Sequence, residues 1–241
     1  MTGTSDPLYF RQLLAGRDFA ESNAIAGQMV NFCYLIGDRT AGEAVVVDPA
    51  WDVDGLVALA DRDEMKLVGA LATHYHPDHV GGDLFGHIVE GLARLLEVRG
   101  MKVHVHKHEA QGVRFMTGLS ESDLVLHEGG DRLRVGDVEI EFLHTPGHTP
   151  GSQCFLVRNR LVSGDTLFVK GCGRVDLPGG DPEEMYRTLT ERLAKLTDDV
   201  VLYPGHDYGE RQTSTLGQER QSNYSLRVDN LEDWLRLMGR A

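Results

Sequence analysis

The segment Thr73-His74-Tyr75-His76-Pro77-Asp78-His79 places four potential metal ligands within six positions. Residues two apart in an extended chain share a side, so His74 and His76 can bind one ion together. Pro77 then turns the backbone and lets Asp78 and His79 face a neighbouring position. Two adjacent ions are geometrically natural. Imidazole and carboxylate donors without a thiolate suit zinc, iron or manganese better than thiophilic ions. The alternative is a polar loop that is rich in His by chance, which gives such a cluster no packing role at a strand end.

Three later strand ends supply further candidates: His148 in HTPGH, Asp165 in SGDT and His206 in YPGHDY. Each follows an apolar run, and each is preceded by a glycine (Gly147, Gly164, Gly205), where the backbone must turn sharply or approach the site closely. Singly, each reads as a cap or turn former; together they complete a shell. His144 reads as a strand residue in preference to a partner of His148. His87, His104, His106, His108 and His127 lack the carboxylate and glycine context and read as solvated or capping residues.

Positioning these groups requires strands that end at one place. Phe32 to Ile36 and Ala44 to Val47 read as a hairpin, Val53 to Asp63 as a helix and Lys66 to Ala72 as a mostly buried strand. Leu84, Ile88, Leu92, Leu95 and Leu96 carry a helical period, and Lys102 to His106 alternates as a strand. Arg132 to Val135 and Val138 to His144 flank Gly136-Asp137 as a hairpin with one wet face, and Gln153 to Val157 pairs with Arg160 to Ser163. Asp181-Pro182-Glu183-Glu184 is a helix start ahead of the stripe Met185, Leu189, Leu193 and Leu196. Val200 to Tyr203 reads as a last strand, followed by a helix from about Thr215 and an amphipathic segment with Leu231, Trp234, Leu235 and Met238. Hairpins and αβ units in both halves imply an α/β, four-layer αββα sandwich with two mixed sheets flanked by helices. Residues 1–241 read as one domain, with 209–241 a short helical extension.

Composition narrows the function. The 24 Lys+Arg against 37 Asp+Glu give a formal charge of −13, which repels phosphate backbones and argues against nucleic acid. Cys33, Cys154 and Cys172 are too few and too dispersed for a disulfide framework, and the N-terminus lacks a signal-peptide pattern, so a cytoplasmic location is expected. Apolar runs fall far short of a membrane span. The expected partner is a small molecule; the apolar face of Leu231 to Met238 either caps its own core or docks on a second subunit, which makes a homodimer a further expectation.

HxHxDH at 74–79 with His148, Asp165 and His206 in that order resembles the metallo-β-lactamase superfamily, from about Phe32 to Tyr208. The resemblance implies a first metal on His74, His76 and His148, a second on Asp78, His79 and His206, and Asp165 as the bridge. Two divalent ions, expected to be zinc, would acidify a shared water until hydroxide exists at neutral pH and attacks the substrate. Asp78 would also be catalytic, orienting that hydroxide or taking its proton.

Ser163 to Arg174 (SGDTLFVKGCGR) and Val175 to Asp181 (VDLPGGD) resemble the branch that holds glyoxalase II-like thioester hydrolases and persulfide dioxygenases, which act on small thiol derivatives. Cys172-Gly173-Arg174 and His206-Asp207-Tyr208 are closer to the dioxygenase pattern. That likeness implies substrate binding by Arg174 and Tyr208 near a glutathione moiety, although Arg174 could instead pair with Asp176. The short stretch after His206 departs from glyoxalase II, which carries a helical C-terminal domain there, and the long helix read over Leu84 to Arg99 departs from the dioxygenases.

The leading expectation is a glyoxalase II-like hydrolase that cleaves a small thioester or ester, such as a glutathione or other low-molecular-weight thiol conjugate. The alternative is a persulfide dioxygenase oxidising glutathione persulfide to sulfite, with a single Fe(II) on His74, His148 and Asp165. A third reading is a noncatalytic redox sensor using Cys172.

Overall fold

In the computed structural model, which describes residues 6–239, the chain opens with β1 (Leu8–Leu14) and α1 (Ala24–Met29). Residues 1–5, part of the N-terminus judged above for a signal peptide, lie outside the described residues. There follow β2 (Phe32–Asp38), β3 (Glu43–Val47), α2 (Val53–Arg62), β4 (Lys66–Leu71) and the short α3 (Pro77–Val80). A small hairpin, β5 (Gly82–Leu84) and β6 (His87–Val89), leads to α4 (Leu92–Val98), β7 (Lys102–His106), α5 (Ala110–Thr117) and β8 (Leu124–His127). The second half holds β9 (Arg132–Val135), β10 (Val138–His144), β11 (Gln153–Val157), β12 (Arg160–Gly164) and the two-residue strands β13 (Leu167–Phe168) and β14 (Gly171–Cys172). It ends with α6 (Pro182–Arg187), β15 (Val201–Pro204), β16 (Ser214–Thr215), α7 (Leu216–Ser222) and α8 (Leu231–Leu237).

Two six-stranded mixed sheets result, ordered β1-β2-β3-β4-β7-β8 and β16-β15-β12-β11-β10-β9. Period-two alternation explains how they stack. Phe32, Tyr34 and Ile36 of β2 face Ile140, Phe142 and Phe155 between the sheets, while Cys33 and Leu35 face the helices outside the first sheet. Met185, Leu189, Leu202 and Trp234 form the layer outside the second. The αββα sandwich expected from the sequence is the observed architecture.

Local chemistry accounts for several boundaries. Asp181 caps α6 by accepting from Glu184 N at 3.0 Å, with Pro182 at the first helical position. Past Arg187 the same apolar stripe continues as a wide π turn over Thr188–Arg192. The amphipathic C-terminal segment caps its own core: Trp234 is fully buried and its Nε1 donates to Pro182 O at 2.7 Å.

The long helix read over Leu84 to Arg99 is replaced by the β5–β6 hairpin and a shorter α4. Gly81, Gly82 and Gly86 all have positive φ, which suits a tight hairpin and not a helix, and Phe85 and Ile88 are left 96% and 82% exposed. The helical spacing of Leu84 and Ile88 with the later leucines therefore has no structural meaning there. The departure from dioxygenases inferred from that helix falls with it.

Candidate metal centre

β3, β4, β12 and β15 are mutually placed so that their C-terminal ends lie at one rim of the sandwich. The stretch after β4 carries His74 to His79, the β10–β11 connection carries His148, the residue after β12 is Asp165, and His206 follows β15. All seven expected ligands meet there, in three overlapping groups: His74, His76 and His148; His74, His79 and Asp165; and Asp78, His79 and His206.

Two of the glycines that precede ligands are explained by close approach. A Cβ on Gly164, whose φ is +49°, would lie 2.6 Å from Thr73 Oγ1. A Cβ on Gly205 would lie 2.4 Å from Asp165 Oδ1. Either addition would push backbone away from the centre it supports.

In the first triad, His76 Nδ1 lies 3.0 Å from His74 Nε2 and 3.0 Å from His148 Nε2. Outward partners set the tautomers. Thr73 Oγ1 gives its proton to Asp48 Oδ2 at 2.6 Å, so it accepts from His74 Nδ1 at 3.0 Å. His148 Nδ1 donates to Arg174 O at 2.7 Å. Both rings therefore turn a lone pair inward. Burial followed by the neighbouring imidazoles pushes His74 well below its usual value, and burial with His148 pushes His76 down to about 4. Neutral imidazoles are the form that binds metal.

The second triad is more strongly negative. His79 Nε2 lies 3.2 Å from His206 Nε2 and 3.5 Å from Asp78 Oδ2. Burial works against a charged ring, yet Asp78, Asp165 and Asp48 together push His79 up to about 10. The same carboxylate field favours a cation. Asp165 lies between the triads, with Oδ1 3.4 Å from His79 Nε2 and Oδ2 3.4 Å from His206 Nε2 and 3.7 Å from His148 Nε2. Its Oδ1 is buried without a hydrogen-bond partner. A buried carboxylate oxygen left unpaired among inward-facing imidazole nitrogens is what a cation would satisfy, so the residues fit a metal centre.

Several supporting residues escaped the sequence reading. Asp48, after β3, accepts from Thr73 N at 2.8 Å and from His79 Nδ1 at 2.9 Å. Glu109 is fully buried and accepts from Tyr75 N, Thr149 Oγ1 and Gly151 N at 2.7–2.8 Å, tying the loop that holds His74 and His76 to the loop that holds His148. Asn31 donates to Asp78 Oδ2 at 3.0 Å. Asp48 had a signal available, since it ends an apolar run (AVVVD) as Asp165 does; Glu109 and Asn31 had none.

Arg174 touches the centre through its backbone carbonyl, while its guanidinium pairs with Asp176 at 2.8 and 2.9 Å. Tyr208 stacks on His206 with ring centres 4.5 Å apart and is 57% exposed at the rim. Burial, then Asp165 and Asp78, raise its phenol, which keeps its proton and can donate. Cys172, half-buried, is pushed up to about 12 by burial, the opposite of a reactive sensing thiol.

His87 and His108 are exposed, but the expectation that His104, His106 and His127 are solvated or capping is corrected. His106 is buried and stacks on His144 at 3.9 Å, and His104 Nδ1 lies 2.8 Å from His127 Nε2. His144 Nε2 donates to Pro150 O at 3.0 Å, so this strand residue also braces the His148 loop. The lone period-two alternation of His104 and His106 placed both on the inter-sheet face, where they are sheltered.

The family described as Metallo-beta-lactamase superfamily matches residues 26–206. The chain belongs to this superfamily. Within the metallo-beta-lactamase superfamily it is 32% identical to the mitochondrial persulfide dioxygenase ETHE1 of Homo sapiens, over 86% of this chain and 76% of that protein. It is 38% identical to a hydroxyacylglutathione hydrolase of Polaromonas, over 78% of this chain and 67% of that one. The crystal structure of ETHE1 from Myxococcus xanthus superposes with a TM-score of 0.78 at 28% identity, covering 96% of this chain and 90% of that one. Superfamily relatives therefore include both a hydrolase and dioxygenases. Among the described residues, no helix is long and apolar enough to cross a membrane.

Proposed function

We propose that the protein is a metal-dependent hydrolase of the glyoxalase II-like type, acting on a small thioester or ester of a low-molecular-weight thiol. The observation that carries this reading is the position of Asp165, whose carboxylate borders both triads, with Oδ1 3.4 Å from His79 Nε2 and Oδ2 3.4 Å from His206 Nε2 and 3.7 Å from His148 Nε2. When bound, two divalent ions would supply an acidified water and polarise the substrate carbonyl. His74, His76 and His148 would hold one ion, Asp78, His79 and His206 the other, with Asp165 shared. Asp78 is 7% exposed, so it is sheltered yet reachable, and its carboxylate would orient the attacking water and accept its proton. The Tyr208 phenol at the rim would donate to a peptide-like group of the thiol moiety.

A second reading is favoured by the likeness to ETHE1 over most of the chain: a persulfide dioxygenase using His74, His148 and Asp165 for one iron. One experiment separates the two. Protein loaded with zinc or with iron, with occupancy verified, is given a glutathione thioester and, separately, glutathione persulfide under an oxygen electrode. Thioester cleavage without oxygen uptake supports the hydrolase. Rapid oxygen uptake on persulfide, lost in His148→Ala, would replace it with the dioxygenase.

A further inference from the structure

The β5–β6 hairpin turns through Phe85 and Gly86, with Leu84 opposite His87 and both central residues at positive φ, +52° and +89°. Two-residue turns of this kind favour Asn-Gly or Asp-Gly, because a left-handed backbone crowds a larger side chain. Phe85 takes that position with its side chain 96% exposed, so contacts within the chain do not offset the strain. A bulky residue held in such a conformation, with its ring in water, points to use by something outside the chain.

The surroundings extend the patch. Leu84 and Val89 turn one face of the ribbon to the core, while Ile88, opposite Asp83 on the other face, is 82% exposed. The base of the hairpin abuts α5, since a Cβ on Gly82 would lie 2.8 Å from Met116 O. Phe115, next to Met116, is 84% exposed, whereas Val113 is the residue that α5 buries. Three strand residues span about 10 Å, so both rings and Ile88 lie on one stretch of surface. Arg114 beside Phe115 and Asp83 across from Ile88 are exposed too and set opposite charges at its border.

A second copy of the chain is the occupant that fits. Aromatic side chains carry about 150–250 Å² each, so the two rings and Ile88 offer roughly 450 Å² of apolar surface. A two-fold contact buries that area from both copies, about 900 Å², and a stable interface of about 1,600 Å² is a little over half apolar. An isologous contact sets the hairpin of each copy against α5 of the other, with Phe85 over Phe115 and Arg114 toward Asp83 in both directions. A formal charge of −13 disfavours an anionic lipid surface as the alternative.

We infer that the chain forms a two-fold homodimer through the β5–β6 hairpin and the exposed face of α5, with Phe85 as its anchor. This is a different face from the C-terminal segment, whose Trp234 is buried in the chain's own core. The inference is independent of the reaction proposed above.

The test is sedimentation velocity of the full chain from about 1 to 100 µM, with the thermal midpoint read at the lowest concentration. The wild-type protein is expected to pass from monomer to dimer within that range. Phe85→Asn suits the turn, so it should weaken the dimer at least about tenfold while the monomer's thermal midpoint stays at the wild-type value or rises. Phe115→Ser, on the other side of the same contact, should weaken the dimer likewise. A wild type that stays monomeric throughout overturns the inference. If that monomer floats with phosphatidylcholine vesicles, the inference is overturned in favour of a lipid surface. A dimer undiminished in Phe85→Asn or in Phe115→Ser means that another face is used and also overturns it. A lowered monomer midpoint in Phe85→Asn does the same, because the ring then serves its own chain.

Discussion

Asp48 holds His79 by its Nδ1 at 2.9 Å, with both side chains out of water. The same carboxylate grips the backbone and hydroxyl of Thr73, so one buried acid orients ligands on both sides of the centre. Groups that orient ligating imidazoles contribute to affinity without touching the ion. Asp48→Ala is expected to weaken metal binding by about 10–100-fold, measured by equilibrium dialysis against a competing chelator. Retention of wild-type affinity would show that His79 needs no such support.

Glu109 does a similar task, accepting from Tyr75 N, Thr149 Oγ1 and Gly151 N. Glu109→Ala leaves Tyr75 N and Gly151 N without their partner, while Thr149 Oγ1 keeps Ser152 Oγ at 2.7 Å, and each buried orphan costs about 1–3 kcal/mol. The midpoint of denaturant unfolding should fall, and occupancy of the His74-His76-His148 position should fall with it. Loss of stability with full occupancy would confine Glu109 to the fold.

Much of the architecture is legible because its elements obey simple periodicities. β7, β9 and β10 occupy the spans that alternation assigns, and Asp181-Pro182 starts the helix expected of it. That His74, His76, Asp78, His79, His148, Asp165 and His206 meet at one place was legible too, since His and Asp cluster at strand ends with glycines beside them. The misreadings share a cause. Leu84 and Ile88 have helical spacing, but three positive-φ glycines fold them into a hairpin, and the period of apolar residues carries no information about backbone sign. β1, α1, α5 and β8 went unread because their burial is partial and their patterns weak. Asn31 and Glu109 act through long-range hydrogen bonds, such as Asn31 to Asp78 across 47 positions, which no local pattern encodes.

The sheltered histidines set an acid limit. Burial, with His127 beside it, pushes His104 down to about 4, and burial with His144 pushes His106 down to about 3, against an ordinary value of 6.5. Above that ordinary value neither state takes the proton and stability is unaffected. Below it the unfolded chain is protonated first, so stability falls progressively as pH drops from 6.5 through 4. His104→Gln should reduce this acid loss by about 3 kcal/mol near pH 4 while leaving metal content and turnover at neutral pH unchanged. Unfolding curves across that range check the slope; an unaltered slope would mean His104 is not its source.

Trp234 anchors the C-terminal helix to α6 through its buried ring and its bond to Pro182 O. Trp234→Ala should cost about 3–5 kcal/mol, read as a lowered thermal midpoint. Because the ring lies on the outer helix layer and not at the rim, metal stoichiometry in the folded fraction should stay as in the wild type.

The most direct measurement is metal content together with thioester turnover for Asp165→Ala, since the Asp165 carboxylate lies 3.4–3.7 Å from imidazole nitrogens of both triads. The expected result is loss of at least one bound ion and a fall in turnover of about a thousandfold or more, with the fold retained by circular dichroism. Full metal content with undiminished turnover would contradict a shared centre and, with it, the hydrolase built on it.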